Sequence, residues 1–325
     1  MKPARLLPLV LGSLCSCAVA CNEPMRHTPD AAPVPAAPPA TVAASDRATD
    51  HFPTSSGDLA VVPLEHATLL FVWRGLAIYV DPTSAAVDDA SLPLADLVLV
   101  TDAHYDHLDP LALSHLRKPG ALVVGSPAVA ARTAVDVVLH EGETRALPGG
   151  IEVTGVPLYS VARGPGPGRR YHDRGQAVGY VLAFGGTRVY VSGDTECTPE
   201  VRALADVDVA FVSMNVPYAM TPAEATMCVA AFRPKVVFPY AYRHAEPPTL
   251  DRAALGPGIE VRQRSFYPRG EAYRARAYVA FTRGQWGYAD DLLDEARRLD
   301  PAGDADWRVQ WTRQWLKEDE RPWPW

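Results

Sequence analysis

The sequence predicts a mixed α/β fold in which two β-sheets pack together and helices cover their outer faces. Short apolar or alternating runs, typical of strands, recur along the body of the chain, and helical patterns lie between them. The chain has 325 residues, of which 48% are hydrophobic, so it is long enough for one large core with additional segments. Beyond the N-terminus, no run approaches the roughly 20 apolar residues that span a bilayer, which excludes a multispan membrane protein.

The first 21 residues are predicted to be a lipoprotein signal peptide. Two basic residues precede a mostly apolar run over residues 6–20. Residues 18–21 resemble a bacterial lipobox, with Ala where Leu is usual, which makes Cys21 the lipidated residue. A second match at residues 14–17 would instead select Cys17. The protein is therefore expected in the bacterial cell envelope, lipid-anchored to a membrane on its periplasmic or outer surface; an ordinary cleaved signal is the alternative.

The rest of the chain divides into three segments by composition. Residues 22–55 are rich in Pro, Ala, Thr and Ser, cannot bury enough apolar surface to fold, and are predicted to be a disordered tether. Residues 56–270 form the main domain, and residues 271–325 are predicted to be a C-terminal helical hairpin. Its second helix is marked by tryptophans at intervals of four, which we expect to pack on the body: Trp307, Trp311 and Trp315.

The main domain begins with a predicted β-meander at residues 59–65, 68–73 and 76–80. Residues 94–101 are nearly all apolar, as in a strand buried on both faces. Further strands are predicted at residues 121–124, 136–140, 151–158, 177–184, 187–192, 207–212, 235–239 and 259–264. Helices are predicted at residues 110–117, 128–135 and 222–232.

Two cysteines, Cys197 and Cys228, remain in the main domain. In an oxidising envelope they could form a disulfide, but the sequence does not place them within bonding distance. We therefore expect two buried free thiols.

The charge balance argues against a nucleic-acid partner. Lys and Arg number 31 and Asp and Glu number 38, which gives a formal net charge of −7 at pH 7. A protein that binds a polyanion needs a basic surface, which this composition does not favour. We expect no nucleic acid among its partners.

Candidate metal ligands cluster where the buried strand of residues 94–101 ends. Asp102, His104, Asp106 and His107 lie within six positions. Imidazole and carboxylate groups bind Zn²⁺ or harder divalent ions while leaving positions open for water. In an extended segment Asp102 and His104 point to the same side, and a helical turn after them would direct the other two towards a second point. This motif predicts a metal site.

A second motif, Ser-Gly-Asp-Thr at residues 192–195, follows another apolar strand and is weak on its own. Together the two motifs resemble the metallo-β-lactamase superfamily, in particular the branch with ascorbate-6-phosphate lactonases and N-acylphosphatidylethanolamine phospholipases D. The family pattern is His-x-His-x-Asp-His, then a single His, then Gly-Asp-Thr, then a last His, each after a strand. The resemblance covers roughly residues 58–267 and implies a four-layer αββα sandwich. Further matching segments are residues 65–68, 80–82, 179–182, 214–222 and 234–240.

The resemblance implies a set of metal ligands. His104, Asp106 and His107 stand at ligand positions, and Asp194 stands where a carboxylate bridges two metals. Asp102 replaces the first histidine of the pattern but still offers a ligand oxygen. His172, in a loop rich in glycine and proline, is the candidate for the single histidine.

The last histidine of the family pattern is absent. Relatives have Pro-Tyr-His-Tyr, whereas residues 239–242 read Pro-Tyr-Ala-Tyr, and Ala241 cannot bind a metal. His244 is the candidate replacement, with Glu246 as an alternative. The first metal would be held by Asp102, His104, His172 and Asp194, and the second by Asp106, His107, Asp194 and His244.

The implied activity is that of a metal-dependent hydrolase with one or two divalent ions. Zinc is the default, and the additional carboxylate favours Mn²⁺ or Fe²⁺ as alternatives. A metal-bound hydroxide would attack an ester-like bond in a carboxylic ester, lactone or phosphodiester. Asp106 and Asp194 are the catalytic candidates, with Asp106 as a proton donor to the leaving group. The alternative is a binding or scaffold lipoprotein with a degenerate site, which Asp102 and Ala241 motivate.

Several residues around the motif are expected to act without binding metal. His66 and Asp109 would hydrogen-bond the ligands. Three arginines near His172 would recognise an anionic group of a small-molecule or lipid-like substrate, the alternative being a solvated loop: Arg169, Arg170 and Arg174. The sequence identifies no protein partner.

Overall fold

The computed structural model describes most of the main domain and parts of the C-terminal extension. The described residues are 48–87, 91–242, 248–266, 273–274, 277–278, 280–281, 284–305 and 307–317. All of them belong to one unit of the chain, which begins at Pro39. The predicted signal peptide with Cys17 and Cys21, most of the tether, and His244 lie outside the described residues.

The strands of the described residues form two seven-stranded sheets, each in simple chain order. In both sheets the first four strands are antiparallel, and the following strands add in parallel. The first sheet contains β1 (Asp50–Thr54), β2 (Gly57–Glu65), β3 (Thr68–Trp73), β4 (Leu76–Val80), β5 (Ala95–Val100), β6 (Arg117–Gly125) and β7 (Val137–Val138). The second contains β8 (Thr144–Leu147), β9 (Ile151–Leu158), β10 (Ala177–Phe184), β11 (Thr187–Val191), β12 (Val209–Ser213), β13 (Val236–Tyr240) and β14 (Glu260–Val261).

Four of the eight helices of the described residues start at a capping side chain followed by proline, which is a common sequence signal of a helix start. The helix at residues 222–232 has a full capping box, in which Thr221 and Glu224 bond each other's backbone N–H groups. The helices are α1 (Ser84–Val87), α2 (Pro110–Leu116), α3 (Pro127–Ala130), α4 (Pro199–Arg202), α5 (Pro222–Phe232), α6 (Arg252–Leu255), α7 (Trp286–Leu299) and α8 (Trp307–Lys317). No helix of the described residues is long and apolar enough to cross a membrane.

The two sheets face each other across the main core. Alternate strand residues point to opposite faces, so Phe71 of β3 and Phe211 of β12 enter this inner core, whereas Leu70 and Val212 point outward. The outer face of the first sheet packs on α1, α2 and α3, and that of the second sheet packs on α4, α5 and α6. This arrangement confirms the predicted four-layer αββα sandwich.

The C-terminal extension packs on the body through its two long helices. Ala289, Leu292 and Leu293 of α7 are buried in the inner core cluster. Two tryptophans of α8 differ from the prediction, and the side chain of Trp307 lies outside the described part of the structure. Trp311 and Trp315 are 43% and 36% exposed and contact Phe281 of the extension itself. Val309 and Leu316 of α8 are also buried in the inner core cluster, so both helices join the extension to the body.

The structure also corrects the end of the predicted tether. Residues 50–54 form β1, paired with β2 in an antiparallel register. Phe52 is buried in the inner core, and Asp50 accepts hydrogen bonds from Arg262 and Arg264. A buried aromatic ring and a buried ion pair fix this strand, although the surrounding composition is typical of a linker.

Cys197 and Cys228 form a disulfide, so the prediction of free thiols is wrong. Their Cα atoms lie 5.6 Å apart, although 31 positions separate them in the sequence. Cys197 follows the loop after β11, and Cys228 lies on the buried face of α5. The packing of this loop against α5 brings the two residues together, and the sequence alone carries no signal of that contact.

Candidate metal centre

Six of the predicted ligands meet in one cavity at the ends of several strands. The loop after β5 supplies residues 102–107, the loop after β11 supplies Asp194, and the loop between β9 and β10 supplies His172. The cavity encloses about 120 Å³ and is lined by Asp102, His104, Tyr105, Asp106, His107, His172, Asp194 and Tyr218. The two tyrosines are the lining residues that sequence analysis did not single out.

One group of candidate ligands consists of Asp102, His104 and His172. The Oδ2 atom of Asp102 contacts Nδ1 of His104 and lies 3.0 Å from Nε2 of His172. Burial raises the pKa of Asp102, but the hydrogen bonds from both imidazole rings outweigh burial and hold this pKa below its usual range. Asp102 is therefore an ionised carboxylate, as a metal ligand must be.

A second group consists of His66, Asp106 and His107, all of them buried. The Nε2 atom of His66 lies 3.3 Å from Oδ2 of Asp106, and the rings of His66 and His107 have their centroids 6.0 Å apart. The contact between His66 and Asp106 agrees with the expectation that His66 hydrogen-bonds a ligand. Nothing in the sequence indicates that His66 also lies close to His107.

The orientation of His107 is fixed by Asp81 at the end of β4. Oδ2 of Asp81 lies 2.7 Å from Nδ1 of His107, and Thr101 donates its backbone N–H and its hydroxyl to the same carboxylate. The opposite ring atom, Nε2, is buried without a hydrogen-bond partner and lies 3.7 Å from Oδ2 of Asp194. A carboxylate on one ring nitrogen and a free second nitrogen are the usual arrangement of a metal-binding histidine.

Asp194 lies where it interacts with both groups. Its charge interacts with His172 of the first group and with Asp106 and His107 of the second. Ser213 donates its hydroxyl to Oδ1 at 2.7 Å, and Asn215 donates its amide to Oδ2 at 2.7 Å. Residues 214–222 match the family pattern, but nothing in the sequence indicates that Ser213 and Asn215 hold Asp194.

The remaining predicted residues lie elsewhere. Asp109 caps α2 and accepts two hydrogen bonds from Ser84, so it fixes the end of the ligand-bearing loop. Arg174 forms ion pairs with Glu141 and Glu200. Among the described residues that line the cavity there is no arginine, so the geometry does not bring the predicted anion-binding residues to the site: Arg169, Arg170 and Arg174.

The donor set fits a divalent cation. Three buried carboxylates, Asp102, Asp106 and Asp194, line the same small cavity, where their mutual repulsion needs a compensating positive charge. Nitrogen and oxygen ligands of this kind suit Zn²⁺, and the high share of carboxylates also suits Mn²⁺ or Fe²⁺. The Nε2 atom of His107, which has no hydrogen-bond partner, adds a ligand nitrogen 3.7 Å from Oδ2 of Asp194.

The metal-free protein should lose stability as the pH rises above 6.5. Burial lowers the pKa of His107, but the carboxylates of Asp81, Asp106 and Asp194 outweigh burial and raise this pKa well above the ordinary 6.5. A raised folded-state pKa stabilises the protein below the unfolded-state value, and this contribution is lost as the pH rises through the folded-state value. Thermal unfolding of chelator-treated protein between about pH 6 and pH 9 measures this loss. His107→Gln should flatten the profile, and an equally steep fall in that variant would contradict the assignment.

Gly193 is required where the chain turns towards Asp194. It has a φ of +58°, and a Cβ atom there would lie 2.4 Å from Cδ1 of Leu158 and 3.0 Å from Cβ of Thr101. Gly193→Ala should lower the free energy of unfolding by about 2–3 kcal/mol, from the left-handed backbone and the crowding together. Gly120→Ala is the matched control, because Gly120 has a φ of +81° but an open space for Cβ. Chemical denaturation should show the larger loss for Gly193→Ala; equal losses would rule out the crowding.

Comparison with known proteins identifies the family. A family model described as a beta-lactamase superfamily domain matches residues 61–241. A UPF0173 metal-dependent hydrolase of Thermus thermophilus is 30% identical over 203 residues, which cover 59% of this chain and 87% of the relative. A UPF0173 metal-dependent hydrolase of Aeropyrum pernix is 28% identical over 197 residues, which cover 55% of this chain and 80% of the relative.

Solved structures agree with this assignment. The crystal structure of a protein described as a metal-dependent hydrolase, from Parabacteroides distasonis, superposes with a TM-score of 0.63 and 35% identity over 67% of this chain and 98% of that one. Igni18, a metallo hydrolase from Ignicoccus hospitalis, shares the fold with a TM-score of 0.51 and 22% identity over 64% of this chain and 95% of that one. The chain therefore belongs to the beta-lactamase superfamily and has the metallo-β-lactamase fold.

Proposed function

We propose that the protein is a metal-dependent hydrolase that cleaves an ester-like bond of a small-molecule or lipid-like substrate. The observation that carries this proposal is the convergence of three buried carboxylates and three histidines on one cavity. The names of the relatives support it, because those proteins are described as metal-dependent hydrolases. The bond would belong to a carboxylic ester, a lactone or a phosphodiester.

Each of the two groups of candidate ligands would bind one cation. Asp102, His104 and His172 would hold one cation, and Asp106 and His107 would hold a second, with Asp194 facing both. When bound, such cations acidify a water molecule to serve as the nucleophile and withdraw charge from the substrate oxygen. Zinc is the first cation to test, with Mn²⁺ and Fe²⁺ as alternatives.

The protein's own side chains orient these ligands and shape the substrate site. Asp81 holds Nδ1 of His107, and Ser213 and Asn215 hold the two oxygens of Asp194. Asp106 lines the cavity. Its ionised carboxylate would take up the proton that the attacking water releases and would pass it to the leaving group. Tyr105 and Tyr218 form the aromatic part of the wall, which suits a substrate with an apolar portion.

The proposal includes a location in the bacterial envelope, with a lipid anchor on Cys21 or Cys17. The disulfide between Cys197 and Cys228 supports it, because disulfides persist in oxidising compartments such as the periplasm. Labelling of the full chain with a radioactive fatty acid tests the anchor. Label should be incorporated and should disappear in Cys21→Ser or Cys17→Ser, whereas an unlabelled, soluble wild type would contradict the anchor.

A substrate screen tests the activity. The full chain, loaded with Zn²⁺ or Mn²⁺, is assayed on chromogenic carboxylic esters, lactones and phosphodiesters, with and without a chelator. Hydrolysis of one class that the chelator abolishes, and that added metal restores, is the expected result. A protein that binds no metal under these conditions would contradict the proposal.

The second candidate function is a non-catalytic binding or scaffold protein. It is favoured by Ala241, a buried residue without a ligand atom at the end of β13. A metal-loaded protein that hydrolyses none of the three substrate classes would favour this alternative. Measurable hydrolysis by the wild type would exclude it.

A further inference from the structure

The second group of candidate ligands lacks one member of the family pattern, its last histidine. Ala241, where the pattern has its last histidine, is fully buried and contributes no ligand atom. Its backbone N–H donates to the carbonyl oxygen of His66 at 3.1 Å. The chain after β13 and the chain after β2 therefore meet at this point. The end of β2 carries the imidazole of His66, whereas the end of β13 carries only the methyl group of Ala241.

The position of His66 suits coordination of the same cation as Asp106. Two ligand atoms bound to one tetrahedral ion at about 2.1 Å lie about 3.4 Å apart. Nε2 of His66 and Oδ2 of Asp106 are 3.3 Å apart. One potential ligand atom from each of His66, Asp106 and His107 lies within 4.8 Å of the others. In the first group, Asp102 and His172 show a similar separation of 3.0 Å.

The backbone of His66 adds an independent observation. His66 has a φ of +51° and Ala241 a φ of +49°, a left-handed conformation that side-chain-bearing residues adopt at an energetic cost. Such strained residues cluster at functional sites, where the surrounding structure holds them in place. Here the residue in this conformation is His66, which is 1% exposed and whose side chain lies beside Asp106 and His107.

We infer that His66 is a direct ligand of the second cation and takes the place of the histidine that Ala241 replaces. The second cation is then held by two imidazoles and two carboxylates, from His66, Asp106, His107 and Asp194. This inference rests on the proposed function, because it assumes a metal centre. The sequence predicted that His66 hydrogen-bonds a metal ligand, whereas the inference makes His66 a ligand itself.

Substitution by glutamine separates the two roles. In His66→Gln the amide nitrogen can still donate a hydrogen bond to Asp106, but the imidazole ligand is lost. We expect the wild type to bind two Zn²⁺ ions in competition titrations with a chromophoric chelator. His66→Gln should bind the second ion at least about 100-fold more weakly. This loss is larger than the effect of an outer hydrogen-bond partner, whose removal costs about 10–100-fold in metal affinity.

Three further variants complete the titration. His115→Gln carries the same change at an exposed residue of α2 and should bind both ions like the wild type. His244→Gln should also bind both, because His66 occupies the role that the sequence offered to His244. His66→Gln combined with Ala241→His should regain the second ion. Loss of the second ion in His244→Gln, with normal binding in His66→Gln, would overturn the inference.

Anomalous scattering from crystals of the zinc-loaded wild type gives a test that needs no variant. One peak should lie about 2.0–2.1 Å from Nε2 of His66. A peak bound to Asp106 and His107 while His66 remains outside bonding distance would overturn the inference and leave the proposed function standing. A protein that binds no zinc, manganese or iron would overturn both.

Discussion

Asp194→Asn should abolish tight metal binding at the centre and, with it, hydrolysis. The substitution keeps the size of the side chain and an oxygen that can accept from Ser213. It removes the negative charge that interacts with His172 on one side and with Asp106 and His107 on the other. Because one residue serves both groups, its loss should weaken both metal sites together, whereas loss of His104 would affect the first site alone.

The expected magnitude follows from the role of a shared ligand. Removing an outer hydrogen-bond partner of a metal ligand costs about 10–100-fold in affinity, so removing a charged ligand should cost more than about 100-fold at each site. The rise in melting temperature that metal gives the wild type should disappear in the variant, since a ligand stabilises a protein according to its affinity for the folded state. The chelator-sensitive hydrolysis should fall to background.

Thermal unfolding with increasing Zn²⁺ measures the effect without a known substrate. Asp173→Asn is the matched control, because Asp173 is an exposed carboxylate adjacent to His172 in the sequence. This control should keep the full metal-dependent shift. If Zn²⁺ raised the melting temperature of Asp194→Asn as much as that of the wild type, Asp194 would hold no metal. The assignment of the whole centre would then be wrong.

The strands and helices that the sequence predicted well are those whose apolar residues recur with a clear strand or helix spacing. Residues 68–73, 76–80, 151–158 and 177–184 form strands with the predicted bounds, and residues 222–232 form the predicted helix. The single-turn helices α1, α4 and α6 escaped prediction, since four residues cannot display a period. The two-residue strands β7 and β14 lie within the longer strands predicted at residues 136–140 and 259–264. The predicted helix at residues 128–135 is instead the single turn α3 (Pro127–Ala130), which contacts β6 and β10.

In the candidate site, too, the residues that are neighbours in the chain could be predicted from the sequence, and their distant partners could not. The motif of residues 102–107 is readable because its ligands are neighbours in the chain, and the family pattern added His172 and Asp194. The hydrogen-bond partners were not readable, because Asp81, Ser213 and Asn215 are 19 to 26 positions away from the residues that they hold. His66 lies 40 positions before Asp106, and only the folded chain places them together.

Removal of the disulfide should destabilise the protein by about 3–4 kcal/mol, because a cross-link of this span restricts the unfolded chain. The sequence separation of Cys197 and Cys228 is 31 residues. For a protein of this size, such a loss corresponds to a fall of roughly 10 °C in melting temperature. The double variant Cys197→Ser/Cys228→Ser should show this fall, and so should the wild type after reduction.

The same bond should also matter for the metal centre, because Cys197 is three positions after Asp194 in one loop. Glu196, between them, accepts backbone hydrogen bonds from Ala162 and Arg163, in the loop that carries His172. Reduction should therefore weaken metal binding as well as lower the melting temperature, and titrations of reduced and oxidised protein measure the difference. The double variant is the control, because a reductant should leave it unchanged. A wild type whose melting temperature and metal affinity both resist reduction would show that α5 and the Asp194 loop hold together without the cross-link.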